Sequence, residues 1–460
     1  MKIRPFPRPL LMAVAAWAAM PYAQAIELKD AVQQTLVSSP VVKQKLHQFY
    51  SASAETGVGR AGFFPVADIS YTDGRELAPK DKQQKASIFQ SSSPTTLDRW
   101  GWSVNVSQNL FNGYQTVSMM RQLDHAQRAL YYQFLDISAQ QALEASQAYL
   151  DVLRNRQLVE VANANFQRHQ EIYRQIEQKV GGNVARGVDL EQAAGRLALA
   201  ETNLLTSQGN LDDVEARFTR IVGKAPPPQM QALPALEWNP PGNDEAVSLL
   251  LNAHPSNRAA REGVEAARSA RDGRRGAFMP TLDARARQEW GSGVPGSRTG
   301  AYDRKVFEVV TSFNLSRGGA DKARLSMAAQ ALNVALDQRE LNCRETRQSL
   351  SMTTLDYAKQ QRKITYLRHH ALSSEKVRDA YHNQFLIAQR TLLDVLDSEN
   401  EFFTAQRAAI NGDSDLALAR LRGAAASGQL LTLLGVQPSD SREFEAPPAG
   451  GPSCSEAVSS

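Results

Sequence analysis

Between residues 115 and 222 apolar side chains recur every seven positions, at Val152, Val159, Phe166, Tyr173 and Val180 and then at Leu190, Leu197, Leu204, Leu211 and Phe218. That period is the seam of coiled helices. It predicts a rod over about 115–180, on the order of 100 Å long at 1.5 Å per residue, turning back on a second rod. The smaller Ala193, Ala200, Ser207, Val214 and Ile221 run beside the second stripe and let the two arms approach. A second hairpin is predicted over about 318–434. Its first arm carries Tyr357, Ile364, Ala371 and Phe385, interrupted by Arg378, and its second carries Phe402, Ala409 and Leu416. Gln and Ala cover much of the remaining helical surface, as expected where helices pack sideways into a wall with water on both sides.

Ahead of each hairpin the period changes to two, the signature of strands. Trp100, Trp102, Val104 and Val106 alternate with Gly101, Ser103 and Asn105; Leu282, Ala284, Ala286 and Trp290 alternate with Asp283, Arg285, Arg287 and Glu289. Phe307, Val309 and Phe313 stand opposite Glu308, Val310, Ser312 and Asn314. Strands are predicted at about 66–77, 98–111, 281–291 and 302–315. A soluble sheet over a core shows the same alternation. A lipid-facing sheet of four strands cannot close, since the smallest membrane barrels have about eight. Its edges would leave backbone groups unpaired in hydrocarbon at several kcal/mol each, so more than one chain would be required.

The chain is an internal duplication. Ser39-Pro40 corresponds to His254-Pro255 and Pro65 to Pro280 at an offset of 215 residues. Gly113 corresponds to Gly318, and Asp189 to Asp394, at 205. Pairing Gly223 with Gly435 shifts the offset to 212, which predicts one extra heptad lengthening the last helix of the second half. The halves span 26–223 and 244–436, each opening on a single helix (about 28–60 and 244–276) that stops before a proline. Residues 224–243, with six prolines, read as a linker, and 437–460 as a disordered tail.

Residues 1–25 combine a basic start (Lys2, Arg4, Arg8), an apolar run from Leu10 to Met20 and an Ala23-Gln24-Ala25 site, the pattern of a secretory signal peptide. No cysteine follows that site, so a lipid anchor is not indicated. Beyond it no run of about 18 apolar residues offers a membrane helix. The formal charge of +4 is slight for 460 residues and argues against a nucleic-acid surface. Seven histidines form no metal-binding spacing, and neither a G-x-S-x-G nor a P-loop occurs, so no enzyme activity, cofactor or metal is expected. Cys343 and Cys454, in unrelated contexts, are expected to be unpaired.

The segment Arg390-Thr391-Leu392-Leu393-Asp394-Val395-Leu396-Asp397 resembles the inner periplasmic turn of the TolC family of outer-membrane exit ducts. Signal peptide, duplication, strand pairs and hairpins extend the likeness over nearly the whole chain. The resemblance implies a mainly α protein with a small transmembrane β part. It implies a homotrimer whose strands make a twelve-stranded barrel in outer-membrane lipid, continued by a periplasmic α-helical barrel and opened by untwisting of the periplasmic helices. It also implies a constriction at Asp394 and Asp397, where carboxylates gathered near a threefold axis raise one another's pKa or bind a cation. Arg390 and Asp189 match the family latch. Phe385 stands where the family commonly has a tyrosine, so that latch lacks a hydroxyl. Gly181, Gly182, Gly187, Leu386 and Gln389 match the docking points of a periplasmic adaptor, though glycines there also serve simply to make a turn. Trp100, Trp102, Val104, Val106, Phe307, Val309 and Phe313 would face lipid. The implied function is the exit duct of type I secretion, fed by an inner-membrane ATP-driven transporter. A multidrug efflux duct with a proton-driven pump is the alternative within the family, and a non-pore periplasmic coiled-coil adaptor the alternative outside it.

Overall fold

A computed structural model describes residues 26–78, 95–184, 186–234, 236–292, 301–442, 444 and 454. The signal peptide expected over 1–25 lies outside these residues. The first half comprises α1 (Leu28–Ser38), α2 (Pro40–Ala61), β1 (Val66–Ala78), β2 (Thr95–Phe111), α3 (Gln115–Gly181) and α4 (Gly187–Val222). The second comprises α5 (Asp244–Ala253), α6 (Pro255–Arg275), β3 (Thr281–Ser292), β4 (Ala301–Ser312), α7 (Ala320–Leu386), α8 (Leu392–Ala426) and a short α9 (Leu430–Leu434). Among the described residues no helix is long and apolar enough to cross a membrane.

The opening helix of each half, expected to be unbroken, is split at the residue before its proline. Ser39 (φ −58°, ψ 123°) and His254 (φ −61°, ψ 131°) are extended because the proline ring excludes the helical conformation from its predecessor. The two long rods, α3 and α7, are both 67 residues long and start and stop 205 residues apart. That offset persists to the end of the hairpins. Left-handed Gly223 (φ 84°) matches left-handed Gly428 (φ 72°), so the expected shift to 212 is corrected. The extra residues do not lengthen α8; they form α9 after a glycine turn.

β1 to β4 form one antiparallel sheet in chain order, with the outer edges of β1 and β4 unpaired among the described residues. The register sets Ala67, Val106, Ala286 and Phe307 side by side on one face, and Tyr71, Trp102, Trp290 and Asp303 further along it. Gln288 and Lys305 interrupt that face. The opposite face carries Asp68, Asn105 and Arg287, and Ser70, Ser103, Glu289 and Arg304. The Arg304 guanidinium meets Glu289 at 2.7 Å. Among the described residues nothing covers the apolar face, where Ile69 is 67% and Phe307 82% exposed. β4 ends at Ser312, so Phe313 lies just past the strand rather than in it.

The main core sits at the middle of the rods and not near the sheet. Leu36, Phe49, Phe134, Tyr149, Phe218 and Leu421 gather there from α1, α2, α3, α4 and α8. The proline-rich segment belongs to this core. Met230 bridges Ile26, and Trp238 is buried against Gly423, where any β-carbon would strike the indole.

Two expectations about the C-terminus are corrected. Of the segment expected to be disordered, residues 437–442 and 444 are described and are packed: Tyr131 donates a 2.6 Å hydrogen bond to the Arg442 carbonyl and Phe444 packs on Phe49 and Tyr131. Cys454 is disulfide-bonded to Cys343 of α7, with Cα atoms 5.6 Å apart. Its amide donates to Asn252 and its carbonyl accepts from Arg347. Packing against α5 and α7 brings together cysteines 111 positions apart, a distance at which sequence context carries no pairing signal.

Candidate functional site

Two turns close the hairpins at the end far from the sheet. α3 gives way to α4 through left-handed Asn183 (φ 55°), and α7 to α8 through its equivalent 205 residues on, Ala388 (φ 60°). A β-carbon is disfavoured there by roughly 1–2 kcal/mol, though asparagine tolerates the conformation. Ala388→Gly is therefore expected to stabilise the inner turn by up to about 1 kcal/mol, net of the added chain entropy, read as a raised denaturant midpoint. Gly181, Gly182 and Gly187 have no positive φ. Their turn-making role passes to Asn183, and β-carbons at Gly181 and Gly187 would meet open space. Around these glycines the tips expose Val184, Val188, Leu386, Ile387 and Leu393, with Gln389 also exposed.

The two sequence-matched aspartates cap helices. Asp394 accepts from the Thr391 hydroxyl (2.8 Å) and amide (3.2 Å) at the start of α8. Those bonds, with Arg390 4.0 Å away, hold its carboxyl below the usual range. Asp189 does the same for the Arg186 amide at the start of α4. Arg390 donates to Gln384 at 3.0 Å and lies 4.2 Å over the Tyr381 ring. Within the chain it is held inside its own hairpin and is not joined to Asp189. Phe385 lies under the Lys179 ammonium at 4.6 Å and packs on an apolar cluster.

That cluster joins the outer hairpin (α3, α4) to the inner one (α7, α8). Ile172, Ile176 and Ala193 meet Leu392, Val395 and Leu396. Two ion pairs flank it. Asp397 is bound by Arg196 of α4 at 2.7 Å on the surface, and buried Glu399 lies 3.4 Å from Arg168 of α3. Sequence reasoning missed Arg196, although it follows Asp189 by seven residues and so shares its helical face. It missed Arg168 and Glu399, which read as ordinary solvated positions. The inward stripe of α3 includes Asn155, Ala162, His169 and Ile176, all buried, one step around from the apolar stripe that the sequence displays.

His169, 4% exposed, has no partner for Nδ1. Burial, and then the charge of Arg196, push it down to about 4 from 6.5. Its contribution to stability is fully present above pH 6.5, where it is neutral whether folded or unfolded. It is lost as pH falls towards 4, by at most about 3 kcal/mol. Glu399 runs the other way. Burial raises its pKa, so its contribution is present at low pH and lost as pH rises through the raised value. Thermal melts between pH 7 and 5 should flatten in His169→Gln, and Glu399→Gln should lose the stabilisation that acidification gives the wild type through that carboxyl.

A family model described as outer membrane efflux protein matches residues 31–224 and 246–429, the two halves without the segment between them. The chain belongs to that family. This outer membrane efflux protein is 22% identical to the outer membrane efflux protein BepC of Brucella suis biovar 1 (strain 1330) over 75% of each chain. It is 22% identical to the outer membrane protein TolC of Escherichia coli (strain K12), over 92% of this chain and 86% of that one. Among solved structures, the CmeC outer membrane channel of Campylobacter jejuni superposes with a TM-score of 0.77 at 14% identity, covering 90% of this chain and 87% of the other. The TolC-family resemblance read from the inner turn stands, and the protein is an outer-membrane protein.

Proposed function

We propose that three copies of this chain form an exit duct for one-step type I secretion. The duct receives a protein substrate from an inner-membrane ATP-driven transporter through a periplasmic adaptor and releases it outside. The sheet supports the duct, whichever cargo it passes. It has one uncovered apolar face suited to outer-membrane lipid and two free edges, at β1 and β4. Pairing β4 of one copy with β1 of the next satisfies both edges and closes a twelve-stranded barrel from three sheets. The flanks of the hairpins agree with side-by-side assembly. Leu199 and Leu205 on α4 and Met352, Leu355 and Tyr366 on α7 are exposed in the single chain.

In that assembly Asp394 and Asp397 line the narrow periplasmic end, and Arg390, Phe385 and Asp189 take part in closing it. The exposed apolar residues around Gly181, Gly187, Leu386 and Gln389 are where the adaptor docks. The duct performs no bond chemistry; its work is opening. A multidrug efflux duct is the second reading, favoured by the efflux description of the family and of BepC. Deleting the gene separates them. A large protein missing from the culture supernatant, with unchanged drug susceptibility, supports secretion, and the reverse supports efflux. Outer-membrane extracts should contain a heat-modifiable oligomer; a detergent-free soluble monomer would end both readings.

A further inference from the structure

Glu399 is an unusual residue to place in the seam between the hairpins. Its side chain is 4% exposed, yet Oε1 has no hydrogen-bond partner. The facing charges are committed elsewhere. The Arg168 guanidinium lies 3.4 Å away but donates to Glu171 at 3.0 Å. Arg378 of α7 donates to Asp379 and lies 4.0 Å over the Phe402 ring. Beside the carboxylate is a partly open cleft of about 310 Å³ lined by Arg168, Glu171, Arg378, Phe402, Phe403 and Gln406 among others. Towards the tips the seam is closed by the apolar cluster of Ile172, Ile176, Val395 and Leu396. A buried carboxylate with an unpaired oxygen, and a cleft beside it, therefore interrupt the contact between the hairpins.

Both features weaken cohesion. Holding the Glu399 carboxylate out of water with one long contact to Arg168, a side chain that is itself partly exposed, costs more than the contact returns, and apolar residues of similar volume in their place are often neutral or stabilising. Side chains lining the cleft forgo direct packing across the seam at that point. We propose that Arg168, Glu399 and their cleft are a built-in weak place that keeps the outer and inner hairpins separable, making Glu399 a gate-positioning residue rather than a lock. The inference rests on the duct reading, in which these hairpins part.

The test is the double variant Arg168→Met with Glu399→Leu, purified and reconstituted in planar bilayers beside the wild type. Repacking the seam with apolar side chains should reduce opening frequency several-fold while leaving the melting temperature of the assembled protein equal or higher. Arg168→Met alone strands the carboxylate and should open more often. If the pair is instead a tie, the double variant opens more often and melts earlier, which overturns the proposal. Unchanged opening overturns it as well. Should the double variant fail to assemble, Glu399→Gln keeps the shape, removes the charge and carries the same expected sign. A wild type with no conductance under any condition counts against the duct reading itself, whereas a conducting wild type with an unchanged variant counts only against the role of Glu399.

Discussion

Leu396→Ala is expected to separate the tips of the two hairpins without unfolding the rest of the chain. Leu396 is 1% exposed and central to the cluster that joins α3 and α4 to α8. Truncating a buried leucine costs about 2–5 kcal/mol, in lost transfer energy and in the cavity left behind. The main core, around Phe134 and Tyr149, lies far up the rods and does not share the loss. The damage therefore appears as local opening. Hydrogen exchange should accelerate several-fold or more in 168–200 and 385–403 while the residues around Tyr149 keep their protection. In reconstituted duct the resting conductance should rise. Equal exchange in both regions would place the holding energy elsewhere. Arg196→Ala is the contrast. Its pair with Asp397 is partly exposed on both sides, and exposed pairs contribute about 0–1 kcal/mol, so its effect on exchange should be slight. The hairpins are thus held mainly by apolar burial, with Phe385 contributing to that packing.

Cys454→Ser should lower the melting temperature of the folded chain, and Cys343→Ser should lower it by the same amount. The disulfide joins positions 111 residues apart. A loop of that length gives an entropic stabilisation of roughly 4–5 kcal/mol as an upper limit in the chain-entropy model. It also holds Cys454 where its amide and carbonyl bond Asn252 and Arg347 of α5 and α7. Because either substitution removes the same bond, the double variant should melt with the singles. Reductant should lower the wild-type melt towards theirs and leave the variants unmoved. Additive losses in the double variant would mean that the thiols matter for packing and not for the bond.

The hairpins, the strand pairs and the duplication were legible because each is a local periodicity. A seven-residue stripe or an alternation of Trp102 and Ser103 reports its own element whatever that element touches. The sheet register then agreed with the alternation, setting Val106 beside Ala286 and Phe307. Local rules also mark the breaks at Ser39 and His254, since a proline restricts only its predecessor. The proposed gate was legible only as a set of matched residues. Its motif aspartate Asp394, matched to the constriction, caps α8 in the folded chain.

The sequence by itself determined which segments are rods and which are strands, where each half begins, and that one face of the sheet is apolar. These follow from side-chain period and backbone sterics, which act within a few residues. Only the tertiary structure decided that Cys343 meets Cys454, that Phe444 and Trp238 pack on the helices instead of hanging free, and that Arg168, Arg196, Glu399 and His169 lie in or beside the seam. Those outcomes depend on which rods lie side by side. That choice is made by burial of apolar area summed over many residues far apart in the chain, so no single stretch carries a trace of it.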